Sequence, residues 1–86
     1  MPRVILTGSV RQHVGGLGEA EVEGDTAAAV VRALEAAHPG LRGWIVDEQG
    51  ALRRHVRLFL RGVSVSLDTP IGADEELHVV AAISGG

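Results

Sequence analysis

Apolar and polar positions alternate along two segments near the beginning of the chain. Residues 3–7 are β-branched and apolar, and residues 19–23 place Ala20 and Val22 on one face and three glutamates on the other. This period of two is typical of strands that bury one face and leave the other in water. The glycine-rich residues 15–18 between them predict a turn. The two segments therefore predict a hairpin with a loose connection.

The spacing of apolar residues becomes helical after residue 26. Asp25 or Thr26 can cap a first turn, and Pro39 followed by Gly40 ends the pattern, because proline cannot continue the backbone hydrogen bonds of a helix. The pattern predicts one main helix over about residues 26–38. Its apolar stripe consists of Ala27, Val30, Val31 and Leu34, with Ala37 or His38 at its end.

Period-two alternation returns in the second half of the chain, over residues 55–61 and 77–81, with a short candidate strand at 63–67. Residues 41–46 fit either a short turn of helix or an irregular crossing, and residues 47–50 predict a polar turn. The order is therefore β-β-α-β-β-β. This order predicts an α+β fold in which one helix packs across a mixed sheet of four or five strands.

The alternation also assigns the two faces of this sheet. It places Leu58, Leu60, Leu77 and Val79 in the core. It leaves Phe59, His78 and Val80 on the opposite face, with Arg57 and Arg61 beside them. An aromatic residue next to valine and arginines is typical of a docking surface. A second small cluster, covered by the tail or by residues 41–54, would explain the same pattern.

Composition narrows the chemistry further. The chain has 86 residues, 45% of them hydrophobic and 22% charged, which is ordinary for one globular domain. A net charge of −3 argues against a nucleic-acid partner, and no apolar run approaches the ~20 residues of a membrane span. A soluble, cytoplasmic protein is therefore expected. There is no cysteine and no lysine, which excludes thiolate and Schiff-base catalysis, and the four histidines lack metal-ligand spacing.

The candidate reactive group is at the end of the sequence. Residues 83–86 (Ile83, Ser84, Gly85 and Gly86) follow the last strand and predict a flexible tail after a domain spanning 1–82. Glycine has no Cβ, so such a tail can enter a channel too narrow for other residues. It would deliver the α-carboxylate of Gly86, which needs activation by an active site on another protein. A frayed end is the alternative interpretation.

Four segments carry a resemblance to a known family. They are residues 22–26 (Val-Glu-Gly-Asp-Thr), 32–41, 67–70 (Leu-Asp-Thr-Pro) and 82–86 (Ala-Ile-Ser-Gly-Gly). With the size and the order of elements, they resemble the ubiquitin-like β-grasp proteins, in particular the MoaD/ThiS sulfur-carrier family. The sequence has Ala73-Asp74 and Ala81 where that family usually has Gly-Asp and a proline, which leaves the subfamily open.

The resemblance implies a chemical role for the tail. An E1-like adenylyltransferase would use ATP to adenylate Gly86, and a sulfurtransferase or other sulfur donor would convert the adenylate to a thiocarboxylate. A downstream sulfur-accepting synthase would then use the sulfur for molybdopterin, cysteine, thiamin or another thio-metabolite. The protein itself would hold no cofactor, no metal and no catalytic residue. In ubiquitin-like proteins the face carrying Phe59 binds partners, which favours docking there.

Three other functions remain open. The protein would be a ubiquitin-like modifier if Gly86 forms isopeptide bonds with other proteins. It would be a small non-catalytic subunit if the tail inserts permanently into a molybdopterin-synthase-like complex. It would be a β-grasp binding module if the two terminal glycines have no chemical role.

Overall fold

The computed structural model describes residues 1–8, 10–11, 15–16 and 18–81. The described strands are β1 (Arg3–Thr7), β2 (Glu19–Glu21), β3 (Val56–Leu60), β4 (Val63–Val65) and β5 (Glu76–Ala81). The helix α1 spans Ala27–Ala37 and is followed by a 3-10 turn at Pro39–Leu41. The predicted order of elements is confirmed, and the second and fourth strands are shorter than the sequence pattern indicated.

The five described strands form one mixed sheet in the order β2-β1-β5-β3-β4. The central pair, β1 and β5, is parallel, and the other neighbours are antiparallel. A parallel pair needs a crossover connection. Here β1 and β5 are the first and last described strands, so α1 and the other described strands lie between them in sequence. This arrangement is the β-grasp, ubiquitin-like fold, as predicted.

The helix begins and ends where the sequence indicates. The Thr26 hydroxyl accepts a hydrogen bond from the Ala29 amide at 3.1 Å, which identifies Thr26 rather than Asp25 as the N-cap. The His38 amide donates to the Leu34 carbonyl at the other end. Four residues of the predicted stripe are buried: Ala27, Val30, Val31 and Leu34. Ala37 is exposed, so the buried stripe is one turn shorter than the helix.

One hydrophobic core fills the space between α1 and the sheet. Leu58, Leu77 and Val79 are each 0% exposed, and Leu60 is 4% exposed, which confirms the core face predicted from alternation. The chain segment after the helix completes this core, since Leu41 and Ile45 are also fully buried. Residues 41–46 combine the two interpretations left open: Leu41 ends a 3-10 turn, and residues 42–46 cross irregularly.

The predicted polar turn at residues 47–50 has a specific structure. One carboxylate oxygen of Asp47 accepts hydrogen bonds from the amides of Gln49 and Ala51, both at 2.9 Å. The hydrogen bond from the Ala51 amide is the main cause that lowers the pKa of Asp47 below its usual value. Val46 and Leu52 pair across the base of this turn.

Candidate functional site

The candidate docking surface lies on the outer face, defined as the side of the sheet away from α1. Phe59, His78 and Val80 are all partly buried there, between core residues of the same strands that point toward the helix. The predicted orientation of these three side chains is therefore confirmed. Whether the surface binds a partner stays a prediction.

The strand register shows how these side chains are arranged. Phe59 lies opposite His78 on β5, and His78 lies beside Ile5 on β1. Val80 in turn lies between Thr7 on β1 and Arg57 on β3. Cross-strand neighbours on one face lie about 4.5–5.5 Å apart at Cβ and contact each other. The outer face thus presents two adjacent rows of partly apolar side chains across three strands.

Ile5 and Thr7 belong to this surface but are absent from the residues predicted to form it. The signal that would have found them is the alternation of β1, where Val4 and Leu6 are buried while Ile5 and Thr7 are only partly buried. The register with β5 then brings both side chains beside His78 and Val80.

Arg57 lies on the strand as predicted, whereas Arg61 lies just beyond the end of the strand. Arg57 lies in the outer-face row of Val80, and its guanidinium donates to the carbonyls of Arg54 at 2.6 Å and Val56 at 3.0 Å. Its charge is thereby held at the end of the sheet where β5 finishes.

Arg61 lies outside the strand, in the two-residue turn that joins β3 to β4. Its φ is +52° and that of Gly62 is +80°, which are the angles of a tight hairpin turn. The arginine therefore leaves the alternating pattern and forms an ion pair with Glu75. The expectation that the strand continues to Arg61 is wrong, because it ends at Leu60, but Arg61 still lies near His78, with which it lines a cavity.

The end of the sheet that carries Arg61 is rich in ion pairs. Arg3 on β1 contacts Glu76 at 3.1 Å, Glu19 at 3.9 Å and Glu21 at 4.0 Å. His78 Nε2 lies 3.6 Å from Glu76. Exposed pairs of this kind contribute only about 0–1 kcal/mol each, so they set the local charge more than the stability. A cavity of about 450 Å³ there is lined by Arg61, Gly62, Asp74, Glu75, Glu76 and His78.

The predicted reactive residue and its tail lie outside the described residues. Ile83, Ser84, Gly85 and Gly86 all fall there, as does Ala82, so the boundary between a domain at 1–82 and a tail at 83–86 stays a prediction. The last described residue is Ala81, at the end of the central strand β5. Any chain that follows Ala81 therefore starts from the middle of the sheet.

Gly8 packs closely against the backbone of Ala81. Gly8 follows β1 with a φ of +69°, and a Cβ built there would lie 2.9 Å from the Ala81 carbonyl oxygen. Side chains other than hydrogen are therefore excluded beside the end of β5. The signal in the sequence was a single glycine after a strand, which is too common to identify such a position.

Three further observations concern metal sites, membrane spans and nucleophiles. Among residues 1–8, 10–11, 15–16 and 18–81, no three His, Cys, Asp or Glu side chains are placed to hold a metal ion. Within the same residues no helix is long and apolar enough to cross a membrane. The sequence contains no cysteine or lysine nucleophile.

Comparison with known proteins identifies the family. The model of the ThiS family matches residues 4–86, which is nearly the whole chain and includes Gly85 and Gly86. The chain therefore belongs to the ThiS family, within the ubiquitin-like sulfur-carrier proteins of the ThiS/MoaD type.

Two relatives match over most of their length. The sulfur carrier protein CysO of Mycobacterium tuberculosis is 30% identical over 83 residues, which cover 90% of this chain and 89% of that protein. The small archaeal modifier protein 1 of Haloferax volcanii is 31% identical over 67 residues, or 77% of each chain. The relatives thus include both a sulfur carrier and a protein modifier.

Solved structures agree with the fold. The crystal structure of Mycobacterium tuberculosis CysO superposes with a TM-score of 0.84 and 27% identity, covering 96% of this chain and all of that one. A chain from the BexX/CysO complex of Amycolatopsis orientalis superposes with a TM-score of 0.87 at 23% identity, and both chains are covered completely. At that identity the second likeness concerns the fold alone.

Proposed function

We propose that this protein is a sulfur carrier whose reactive group is the α-carboxylate of Gly86. The observation that carries the proposal is the family match, which extends from residue 4 through Gly85 and Gly86. The similarity to the sulfur carrier protein CysO over 90% of the chain supports it. The described part of the chain contributes a folded domain whose last described strand, β5, ends at Ala81.

The proposed chemistry takes place in a partner enzyme. The Gly86 carboxylate attacks the α-phosphorus of ATP, pyrophosphate leaves, and an acyl-adenylate forms. Hydrosulfide then attacks the acyl carbon, and AMP and a proton leave. If a sulfurtransferase instead supplies the sulfur as a persulfide, the attack gives an acyl disulfide, and a thiol must reduce its S–S bond to release the carrier. The product is a C-terminal thiocarboxylate, which a synthase uses for molybdopterin, cysteine, thiamin or another thio-metabolite. The carrier needs no thiol of its own, which is compatible with a sequence without cysteine.

Intact-mass spectrometry tests this proposal. The protein is incubated with an E1-like adenylyltransferase, ATP and sulfide, and the expected product is heavier by the difference between one sulfur and one oxygen. A variant that lacks Gly86 is the control and should keep its mass, while its melting temperature stays unchanged. An unchanged mass for the complete chain would count against the proposal.

The outer face is proposed as a docking surface for these partners. A partly exposed Phe59 beside Val80 and Arg57 has the composition of interface centres. Phe59→Ala should weaken binding of the E1-like enzyme about tenfold or more while the folded protein remains stable. Ser64→Ala, across from Phe59 on the edge strand β4, is the matched control and should leave binding within about twofold.

The similarity to small archaeal modifier protein 1 favours a second candidate function, that of a protein modifier. Gly86 would then form an isopeptide bond with lysines of other proteins. The sequence has no lysine, so chains linked through its own lysines are excluded. Immunoblots of cell extracts distinguish the two functions, because only a modifier gives high-mass adducts that disappear when Gly86 is deleted.

A further inference from the structure

A second surface lies at the end of the sheet where β5 finishes. Val56 pairs with Ala81, so the residues that precede Val56 lie at that end. The Arg53 side chain donates to the Gly43 carbonyl at 2.8 Å, and the Arg53 amide donates to the Ile45 carbonyl at 2.9 Å. These bonds bring the segment that follows α1 to the same end. We call this surface the tryptophan pocket; Arg42, Gly43, Trp44, Arg53 and His55 line it around a cavity of about 410 Å³.

Trp44 is unusually exposed for its place in the chain. It is the sole tryptophan of the sequence, and its residue surface is 46% exposed. The backbone on both sides is fixed, because Leu41 and Ile45 are fully buried and the Trp44 amide donates to the Leu41 carbonyl at 3.0 Å. Trp44 is therefore exposed although its backbone is held in place by its neighbours. Tryptophan is among the residues most enriched at the energetic centres of protein interfaces.

The charge around the pocket is positive. Arg42, Arg53 and His55 line it, and Arg54 and Arg57 continue along the same end of the sheet. Three carboxylates lie near these arginines. Arg42 is close enough to Glu35 to lower its pKa, and Arg53 shares a neighbouring cavity with Asp47 and Glu48. The Asp47 carboxylate accepts hydrogen bonds from the amides of its own turn.

The opposite end of the sheet is acidic. Asp74, Glu75, Glu76 and Glu21 gather there around Arg3 and Arg61. The domain is thus cationic where β5 finishes and anionic where β5 begins.

An enzyme that receives the tail would cover a substantial part of this small protein. An ordinary interface covers about 800 Å² of each partner, or about a sixth of the 5023 Å² surface of this protein. An enzyme that takes the chain beyond Ala81 approaches the cationic end, because β5 finishes there.

We infer that the tryptophan pocket docks against a carboxylate-rich surface of the adenylating enzyme that receives the tail. The indole of Trp44 supplies the buried contact, and Arg42 and Arg53 pair with the carboxylates. This inference rests on the proposed function. A compact acidic patch suits the pocket better than a nucleic acid, because the remainder of this chain, with a net charge of −3, repels an extended polyanion.

Isothermal titration calorimetry with an E1-like adenylyltransferase, without ATP, tests the inference on the full chain. Trp44→Ala should weaken binding about tenfold or more. Arg42→Gln should weaken it about three- to tenfold at low salt and less at high salt, since salt screens the charge pairs. The matched controls are Val63→Ala, an apolar residue 63% exposed in the β3–β4 hairpin, and Arg3→Gln at the acidic end. Both controls should bind within about twofold of the unchanged protein.

The outcomes separate this inference from the proposed function. Binding of Trp44→Ala and Arg42→Gln within twofold of the unchanged protein would overturn the inference, even if the thiocarboxylate forms normally. Weakened binding of both variants would support it, even if ATP and sulfide produce no thiocarboxylate. Quenching of Trp44 fluorescence by a short single-stranded RNA, with enzyme binding unaffected by the variants, would overturn the assignment to a protein partner. Circular dichroism should show that Trp44→Ala remains folded.

Discussion

Replacing Leu77 by alanine removes a side chain from the centre of the core. Leu77 is 0% exposed on the central strand β5, in register with Val4 on β1 and Leu60 on β3. Truncation of a leucine in such a site destabilises a protein by about 2–5 kcal/mol, because the surroundings fill the cavity only in part. Domains of this size have total stabilities of about 5–15 kcal/mol, so the loss is a large fraction of the whole.

Phe59→Ala is the matched comparison, because Phe59 lies on a neighbouring strand but on the outer face. Its side chain is partly exposed and its cross-strand contact with His78 contributes roughly 0.2–1 kcal/mol. The expected loss is about 1 kcal/mol, and binding should suffer more than folding. The two variants therefore separate a core position from a surface position within one sheet.

Urea unfolding followed by the fluorescence of Trp44 measures both variants, since the sequence has no other tryptophan. Each kcal/mol of lost stability also lowers the melting temperature by about 4–8 °C in domains of this size. Leu77→Ala should therefore melt at least about 8 °C lower than the unchanged protein. Equal losses in the two variants, or a larger loss for Phe59→Ala, would contradict the assignment of faces.

Two further predictions concern folding and pH. Gly24→Ala should lower the melting temperature far more than Gly50→Ala. Both glycines have a positive φ, but a Cβ added at Gly24 would lie 2.7 Å from the Val30 amide nitrogen in the helix backbone, whereas one added at Gly50 would contact nothing. Glu35→Gln should remove a pH dependence. Burial raises the pKa of Glu35 above 4.5, although Arg42 partly opposes the shift, so the unchanged protein should lose stability relative to the variant as pH rises from below 4.5 to neutral.

Thermal melts at several pH values check both predictions. Similar melting temperatures for Gly24→Ala and Gly50→Ala would show that the region before α1 yields to a side chain. A stability difference that grows in favour of the unchanged protein as pH rises would contradict the predicted sign for Glu35. That sign follows because the folded state binds the proton more tightly, so its advantage is complete at low pH and disappears as the carboxyl ionises.

The faces of the sheet could be predicted from the sequence because burial and alternation act together. Leu58 and Phe59 are neighbours in sequence but lie on opposite faces, and the register with Val79 and His78 follows from the same period. The helix was equally predictable, since its stripe and its Thr26 cap are local features. The local period of apolar residues was therefore enough to predict a strand or helix that packs one face against the core.

The sequence did not predict features that depend on turns or on distant contacts. Arg61 continues the alternating pattern of β3, but the two-residue turn with Gly62 takes it out of the strand and toward Glu75. The tryptophan pocket depends on the side chain of Arg53 reaching the carbonyl of Gly43 ten residues away. No period in the sequence encodes that contact.

The family explains the tail better than the geometry of the domain does. Gly85 and Gly86 lie outside the described residues, and the role proposed for them rests on the family match and on the chemistry of a terminal carboxylate. The described residues add the position of Ala81 at the end of β5, the close contact at Gly8, and the charge of the surrounding surface.

The most direct test of the central claim locates the sulfur atom within the chain. After incubation with an E1-like enzyme, ATP and sulfide, trypsin should release residues 62–86 as one peptide, because Arg61 is the last basic cleavage site in the sequence. Tandem mass spectrometry of this peptide should place the replacement of oxygen by sulfur on Gly86. A peptide of unchanged mass, or sulfur at any other residue, would contradict the account.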